Sequence, residues 1–413
     1  MRVAVVGAGA AGLTAAWLLD STHAVTLFEE APVLGGHVRT LGGNLPPLPG
    51  LEDVAVDCGV VEFEASVFTH FSQLLDRLDV TRTPVPCFTQ LFLADGRILP
   101  SPGAQRVSGA GLRARLGSML RLVPLAAARR RFVKLAERAS NEELEELPIQ
   151  AFLQPDAFGT WMRLLLTYAY SIPYELTDKV PAALAVPVLR EFQSPESWFG
   201  VLGGVHRYVS ALAGRLQGPV CRGQRVERLR RSDDGVELWA DGHSQGFDAV
   251  VIATPPQAVL PMLEDPSAAE VRRFEAWRPH TARTVVHSDT GLYERRGATY
   301  RSEFDVFELP SGGGYNAWLN RLCGLPEAGP PALSLSLGME DEIAPERVLH
   351  VQEHATPLYT MAALRSRPEV RKHNGERNTW FAGAWLGNGL HEGAVRSAEA
   401  VARGLGAPTL ADR

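Results

Sequence analysis

The chain opens on a short apolar run, Arg2 to Val6, rich in β-branched residues and followed at once by glycine. A continuous run of that length predicts a strand buried on both faces. Ala11 to Asp20, dominated by Ala and Leu, predicts a helix, and Ala24 to Glu29 predicts a second strand that ends in an acid. Strand, helix and strand in that order are a βαβ opening, so the expected class is α/β with a parallel sheet and covering helices. Ser66 to Leu78 follows as an amphipathic helix with Phe68, Phe71, Leu74, Leu75 and Leu78 on one face. Arg106 to Glu146 reads as largely helical, basic in its first part and acidic in its last, and Ala151 to Tyr170 as a further helix.

Beyond Ser194 the pattern returns to strands. Val236 to Trp239 and Ala249 to Ile252 read as strands joined by the polar turn Asp241 to Gln245. Tyr300 to Leu335 has hairpin-like alternation broken by Ser311-Gly312-Gly313-Gly314, and Trp380 to Ala382 is a strand followed by a helix over Gly393 to Leu405. Gly42 to Gly50 is a Gly/Pro loop. No internal repeat or low-complexity tail interrupts this order.

Composition narrows the function. A length of 413 residues suggests about two or three domains. Hydrophobic residues at 45% and charged residues at 21% are ordinary for a soluble globular protein. The net charge of -6 argues against a nucleic-acid partner. The four cysteines, Cys58, Cys87, Cys221 and Cys323, form no CxxC pair and no zinc spacing, which favours a reduced, cytoplasmic setting without metal. The apolar N-terminus is interrupted by Gly7, Gly9 and Gly12 at fixed offsets, which a signal peptide does not need. No charge-free apolar run reaches about eighteen residues, so no membrane span is expected.

The glycines carry the first chemical signal. Gly7-Ala8-Gly9-Ala10-Ala11-Gly12 stands between a strand and a helix. Gly7 permits the tight turn, Gly9 lets the backbone approach a pyrophosphate, and Gly12 lets helix and strand pack closely, as in a Rossmann-type domain. The N–H groups at the helix start, from Ala10 and Ala11, suit an anion. Glu29, with Glu30 beside it, lies where an acid accepts hydrogen bonds from an adenosine ribose.

NAD and FAD share that fingerprint, and three further segments choose between them. Gly35-Gly36-His37-Val38-Arg39 resembles the second glycine motif of amine-oxidase-type flavoproteins. The segment from Asp248 to Pro256, with Thr254 near its end, resembles the strand and turn that return to their cofactor domain. Phe381-Ala382-Gly383-Ala384 and His391-Glu392-Gly393-Ala394-Val395 resemble the segment that contacts the ribityl chain and the flavin ring. The motif order is similar to that of flavin amine oxidases, protoporphyrinogen oxidases and phytoene desaturases. It is most similar to a bacterial group of amine-oxidase-like, NAD/FAD-binding proteins, through Val56-Asp57-Cys58-Gly59, Gly203 to Tyr208, His287 to Thr290, Trp318 to Arg321 and His354 to Tyr359.

That resemblance implies non-covalent FAD, since no cysteine follows Cys323 to carry a cysteinyl link. It places Gly59 and Val60 near the flavin ring and Val226 against the adenine. It also implies an FAD-binding domain from residues 1–65, 195–256 and 370–413. An inserted α+β substrate or cap domain then comprises residues 66–194 and 257–369. The chain departs from the family at several points. His37 replaces the usual Arg of the second glycine motif, and Ala384 replaces an acid. Leu390 stands where monoamine oxidases place a cage Tyr, and Arg283 and Thr284 stand near the expected Lys.

Several residues admit two readings. His391 and Glu392 form an acid–base pair beside the flavin, or Glu392 only bonds the ribityl chain while His391 caps a helix. His287 and Asp289 have strand spacing and form either a cavity pair or a structural one. Arg321 is a candidate carboxylate receptor. The basic stretch carries Arg113, Arg115, Arg121, Arg129, Arg130, Arg131, Lys134 and Arg138 among apolar partners such as Leu112, Leu116 and Leu120. It fits an anionic membrane surface or the solvated face of a cap helix. Trp161, Tyr168, Tyr170, Tyr174 and Trp198 are core or cavity wall. The expected activity is hydride transfer from a small, hydrophobic organic substrate to FAD. Amine oxidation is one form of it and desaturation or double-bond isomerisation of a fatty-acyl or polyene substrate another. A flavoprotein whose FAD is structural is the third possibility. Denaturing the purified protein should release FAD into the supernatant after precipitation, and colour remaining with the pellet would contradict non-covalent binding.

Overall fold

A computed structural model describes residues 1–108, 112–191, 197–298, 300–310, 312–325 and 331–413. Ser311, the boundary at 194/195 and the side chains of Leu112, Arg113, Arg115 and Leu116 lie outside the described residues.

The opening strand Arg2–Val6 is central in a five-stranded parallel sheet. Ala24–Glu29 and then Val220–Arg222 flank it on one side, and Ala249–Ile252 and then Thr379–Phe381 on the other. Val3 to Val6 are buried, as a strand covered on both faces requires. The sheet is therefore α/β in character, with strands drawn from sequence segments hundreds of residues apart. The first helix, Ala10–Leu19, packs on the C-terminal helix His391–Gly404. Every residue of the first helix after Ala10 is buried, so its apolar surface runs all round.

A second, mixed sheet has seven strands, in the order Val348–Leu358, Arg278–His287, Ser334–Leu337, Gly312–Trp318, Phe304–Leu309, Gln90–Phe92 and Ile98–Pro100. The glycines expected to break the hairpin are instead the start of its second strand. A Cβ on Gly314 would stand 2.1 Å from the Leu337 carbonyl oxygen, and one on Gly313 would stand 2.7 Å from the Leu164 side chain. These glycines let a neighbouring strand and the helix Ala157–Tyr170 approach the sheet closely.

Other boundaries shift for local reasons. The polar segment 241–245 contains a two-residue turn, Asp241-Gly242, both with positive φ, and then a third antiparallel strand, His243–Phe247. Asp-Gly in that conformation is a hairpin turn, which shortens the loop. The aromatic helix begins at Ala157 because the Asp156 side chain accepts the Gly159 N–H at 2.9 Å. The long basic stretch divides into helices Pro102–Val107, Leu112–Arg138 and Asn141–Glu146, the last closed by a capping box on Ser140. The amphipathic helix narrows to Thr69–Arg77, and its Phe71, Leu74 and Leu75 are buried as expected.

An ion pair binds a three-stranded antiparallel sheet, Val226–Ser232, Gly235–Ala240 and His243–Phe247, to the helix Ala268–Phe274. Arg231, fully enclosed, is bonded to Glu270 and lies 3.2 Å from Asp265. Removing one partner of such a buried pair typically costs about 3–5 kcal/mol, because the other charge is left uncompensated.

Candidate active site

A cavity of about 830 Å³ opens at the C-terminal edge of the five-stranded sheet and is closed on its far side by the seven-stranded sheet. Ligands of open parallel sheets sit at this edge, where helix N-termini and loop N–H groups point outward. Gly7, Gly9, Ala10 and Ala11 line it. Gly7 has φ +99°, and a Cβ there would stand 3.0 Å from the Ala253 carbonyl oxygen. A Cβ on Gly36, also at positive φ, would stand 3.0 Å from Gly9 Cα, so the two glycine loops meet backbone to backbone. Gly12 lies behind the wall; its absent Cβ is replaced by the Gly7 carbonyl.

Glu29 Oε2 accepts the Ala8 N–H at 2.7 Å and Oε1 accepts the Ala31 N–H at 2.9 Å, which holds the carboxylate at the cavity edge. Glu30, Gly35, Gly36, His37, Gly59, Val60, Val226, Thr254, Gly383, Ala384, His391 and Ala394 complete the expected set on the wall. Arg39 joins them, placing a guanidinium two residues beyond His37. It bonds the carbonyls of Leu34 and Val38. The buried polar atoms Thr254 Oγ1, Thr356 Oγ1 and Trp385 Nε1 have no hydrogen-bond partner among the described residues, and all three residues line this cavity. Unpaired donors and acceptors of this kind are rare unless a ligand or water satisfies them. A long cofactor with phosphates at one end and a polar heterocycle at the other fits these walls.

Glu392, Gly393 and Val395 do not line the cavity. Glu392 instead accepts the N–H groups of His70 at 2.9 Å and Phe71 at 3.1 Å, and the Thr69 hydroxyl at 3.2 Å. It therefore caps the helix Thr69–Arg77, satisfying donors that a helix start leaves open. That geometry corrects both earlier readings of Glu392, as acid–base group and as ribityl contact. His391 does face the cavity, its Nε2 3.0 Å from the Tyr208 hydroxyl and its ring edge-on to Phe63 and Phe71. Burial holds its pKa down to about 3, so it is a neutral imidazole.

Three other candidates are structural. His287 bonds Asn316 at 2.9 Å and Ser336 at 3.0 Å, while Asp289 lies past the strand end and accepts the Gly291 and Ala344 N–H groups. Arg321 is held 2.7 Å from buried Glu303 and lies over Trp318, so a substrate carboxylate would compete with an internal one. Of the aromatic run, Tyr168 and Tyr170 line the cavity; Trp161 and Trp198 do not.

The most distinctive group was not foreseen. Glu62, buried and on the cavity wall, accepts a hydrogen bond from the Tyr168 hydroxyl. Tyr168 packs 4.1 Å from Phe304 and 5.6 Å from Tyr315, centroid to centroid, so aromatic rings surround the acid. Burial raises the Glu62 pKa to about 7, against the partial relief given by Tyr168. The only signal in the sequence was a charge inside the apolar run Val60-Val61-Glu62-Phe63. Thr284, near where the Lys was expected, also lines the cavity, donates to the Cys58 carbonyl at 2.7 Å and touches His354. His354 stands 3.0 Å from where a Cβ on Gly59 would be, and burial lowers its pKa to about 3.

Comparison with known proteins agrees with this geometry. A sequence family described as flavin containing amine oxidoreductase matches residues 10–287. No curated protein sequence matches the chain significantly. Among solved structures, a CLA-producing fatty acid isomerase from P. acnes is similar at 18% identity and TM-score 0.69, covering 97% of this chain and 98% of its own. A cyclohexylamine oxidase from Brevibacterium oxydans is similar at 16% identity and TM-score 0.67, covering 98% and 99%. A putrescine oxidase bound to putrescine is similar at 15% identity and TM-score 0.68, again covering 98% and 99%.

Glu62 makes stability depend on pH. Its folded pKa lies above its unfolded value, so its contribution is greatest below about pH 4.5 and falls as the pH rises to about 7. Glu62→Gln should therefore gain on the native protein between pH 5 and pH 8, by up to about 3 kcal/mol in urea melts. A difference between the two proteins that is independent of pH would contradict a neutral, buried Glu62.

Proposed function

This chain belongs to the family of flavin-containing amine oxidoreductases and is an FAD-dependent oxidoreductase acting on small molecules, and from that premise we propose that its substrate is an amine held at Glu62. The observation that supports this reading is a buried carboxyl group bonded by Tyr168, whose ring packs with those of Phe304 and Tyr315 on the same wall. Tyr168, Phe304 and Tyr315 offer ring faces to a cation, and Glu62 offers the matching charge. When bound, FAD supplies the two-electron acceptor for a hydride from the substrate carbon.

The chain's own residues would then do three things. The two glycine loops, Glu29, Glu30, His37, Val226 and Thr254 would hold the cofactor's adenosine and phosphates. Gly59, Val60, Gly383, Ala384 and, at the start of the C-terminal helix, Ala394 would hold the flavin end. Residues 1–65, 195–256 and 370–413 make up the proposed FAD-binding domain, and the remainder the substrate domain. Glu62, with its pKa near that of the medium, would take the ammonium proton on Oε1 or Oε2 and leave the nitrogen lone pair free. Tyr168 keeps that carboxyl oriented, and the aromatic wall excludes water. Neutral His391 and His354 would bond without competing for the cation.

A lipid-like substrate is the second reading, and one surface favours it. The helix Leu112–Arg138 buries Leu125, Ala128, Phe132 and Ala136. On its outer side Leu120 is 73% exposed and Val123 is 59% exposed, beside exposed Arg121, Arg130 and Lys134. Apolar tips ringed by cations suit an anionic bilayer that would present a fatty-acyl chain. No helix among the described residues is long and apolar enough to cross a membrane.

Under anaerobic conditions an alkylamine should bleach the flavin absorbance, and Glu62→Gln should lower kcat/KM by about 10- to 100-fold, the loss of one charge-assisted contact. Bleaching by unsaturated fatty acids alone would favour the second reading. Flotation with anionic liposomes at low salt, weakened by Leu120→Gln with Val123→Gln, tests the membrane surface; a protein that stays at the bottom of the gradient rules it out.

A further inference from the structure

The cavity has few fixed cations for the dianionic cofactor it would hold. Among the described residues on its wall, the guanidiniums are those of Arg39 and Arg225. Against them stand the carboxylates of Glu29, Glu30, Glu227 and Glu353, before Glu62 is counted. Arg225 lies 3.9 Å from Glu30, and Arg39 bonds the carbonyls of Leu34 and Val38. The start of the helix Ala10–Leu19 supplies about half of one positive charge through its dipole. A pyrophosphate brings two negative charges, so the site needs a further cation.

His37 is placed to become that cation. The Gly35 N–H donates to the Ala8 carbonyl at 2.8 Å and Gly36 meets Gly9, so His37 follows directly on the loop that faces the helix start. Its Nε2 lies 2.7 Å from the Ala355 carbonyl oxygen. A carbonyl only accepts, so Nε2 carries the hydrogen, and in the neutral ring Nδ1 is a bare lone pair. That lone pair meets no hydrogen-bond partner among the described residues, and the side chain is open to solvent-sized molecules on the cavity wall. A lone pair repels a phosphate oxygen, whereas an N–H attracts one. This ring can offer a second N–H only as an imidazolium.

On their own, the surrounding residues hold the ring neutral. Enclosure by the protein lowers its pKa, the Ala355 carbonyl opposes that, and Arg39 lowers it again. His354, edge-on at 5.5 Å between ring centroids, and His391 also feel the charge of His37, and both are neutral. Glu29, whose field acts on Arg39, is held by the N–H groups of Ala8 and Ala31, and Glu353 adjoins His354 on the strand Val348–Leu358. Behind the ring's own backbone, Gly59 abuts the His37 carbonyl, and burial keeps the neighbouring Cys58 thiol protonated. An adjacent dianion is the added charge that reverses this balance, because an opposite charge within a few ångströms favours the protonated form.

We propose that His37 binds the FAD pyrophosphate as an imidazolium, with Nε2–H on the Ala355 carbonyl and Nδ1–H toward the phosphates, so that FAD is taken up together with one proton. The proton comes from the solvent and bonds to the Nδ1 lone pair; no other bond changes. This rests on the placement of His37 among the phosphate-binding residues and is independent of Glu62 and of the substrate. Linkage fixes the sign. Between the pKa of the ring in the FAD-free chain and its higher value in the complex, the complex holds one proton more, so FAD affinity falls by up to about 10-fold for each unit rise in pH.

Two measurements test this. Calorimetric titration of FAD into the flavin-free full-length chain at pH 7, in buffers of different ionisation heat, counts the protons taken up. Release of FAD from the diluted holoprotein, followed by flavin fluorescence from pH 6.5 to pH 8.5, reads the same linkage without first removing the cofactor. Uptake approaching one proton per FAD is expected, with a Kd that rises about 10-fold or more across that range. His37→Arg should bind FAD without proton uptake and with little dependence on pH. His37→Gln should bind about 10-fold more weakly than the native chain at pH 6.5 and approach it at pH 8.5, as expected for the loss of one charge-assisted contact. Proton uptake that persists in both variants assigns the proton to another group and overturns the proposal. Native binding that is tight, takes up no proton and ignores pH also overturns it, while leaving FAD as the cofactor. A chain that binds no FAD at any pH would remove the cofactor reading as well.

Discussion

The approach of Gly36 to Gly9 is the contact on which the rest of the molecule depends. Two loops, one after the first strand and one after the second, pass so close that a Cβ on Gly36 would crowd Gly9 Cα at 3.0 Å. Their N–H groups are thereby gathered at one edge of the sheet, and the first helix begins there with its positive end exposed. The third contributor is Ala253, whose carbonyl presses on Gly7 from the strand Ala249–Ile252. A larger residue at Gly7 or Gly36 would strain the backbone there and press on the neighbouring loop or strand.

Against that polar edge, the other end of the cavity is a low-dielectric chamber, and one carboxyl group sets its character. Glu62 pays for its burial with a raised pKa, and Tyr168 returns part of that loss. A bound ammonium would return more, because opposite charges attract strongly where water is excluded. The neutral imidazoles of His391 and His354 leave Glu62 as the group that changes charge near neutral pH on that wall.

What the sequence revealed and what it hid follow from how local each signal is. The βαβ opening, the glycine loops and the strand near Ile252 were legible because each is a few residues long and carries its own chemistry. The flavin family followed from the order of such motifs. The role of Glu392 was hidden, because its partners are backbone N–H groups more than three hundred residues earlier. Glu62 was hidden for the same reason: its environment comes from residues near 168, 304 and 315. Gly312 to Gly314 were misread because glycine marks both a turn and a place where another element needs the room, and only packing tells the two apart.

The five-stranded sheet has a consequence for biosynthesis. Its outer strand, Thr379–Phe381, and the helix that follows are translated more than a hundred residues after the strand Ala249–Ile252 beside them. At about 5–20 residues per second the ribosome needs roughly 20–80 seconds to reach them. For the last roughly 6–25 seconds of it the strand Ala249–Ile252 has an unpaired edge, and throughout it the first helix lacks the C-terminal helix that covers it. A nascent chain in that state exposes an unpaired strand edge and apolar helix surface, the features that make incompletely folded chains prone to aggregate.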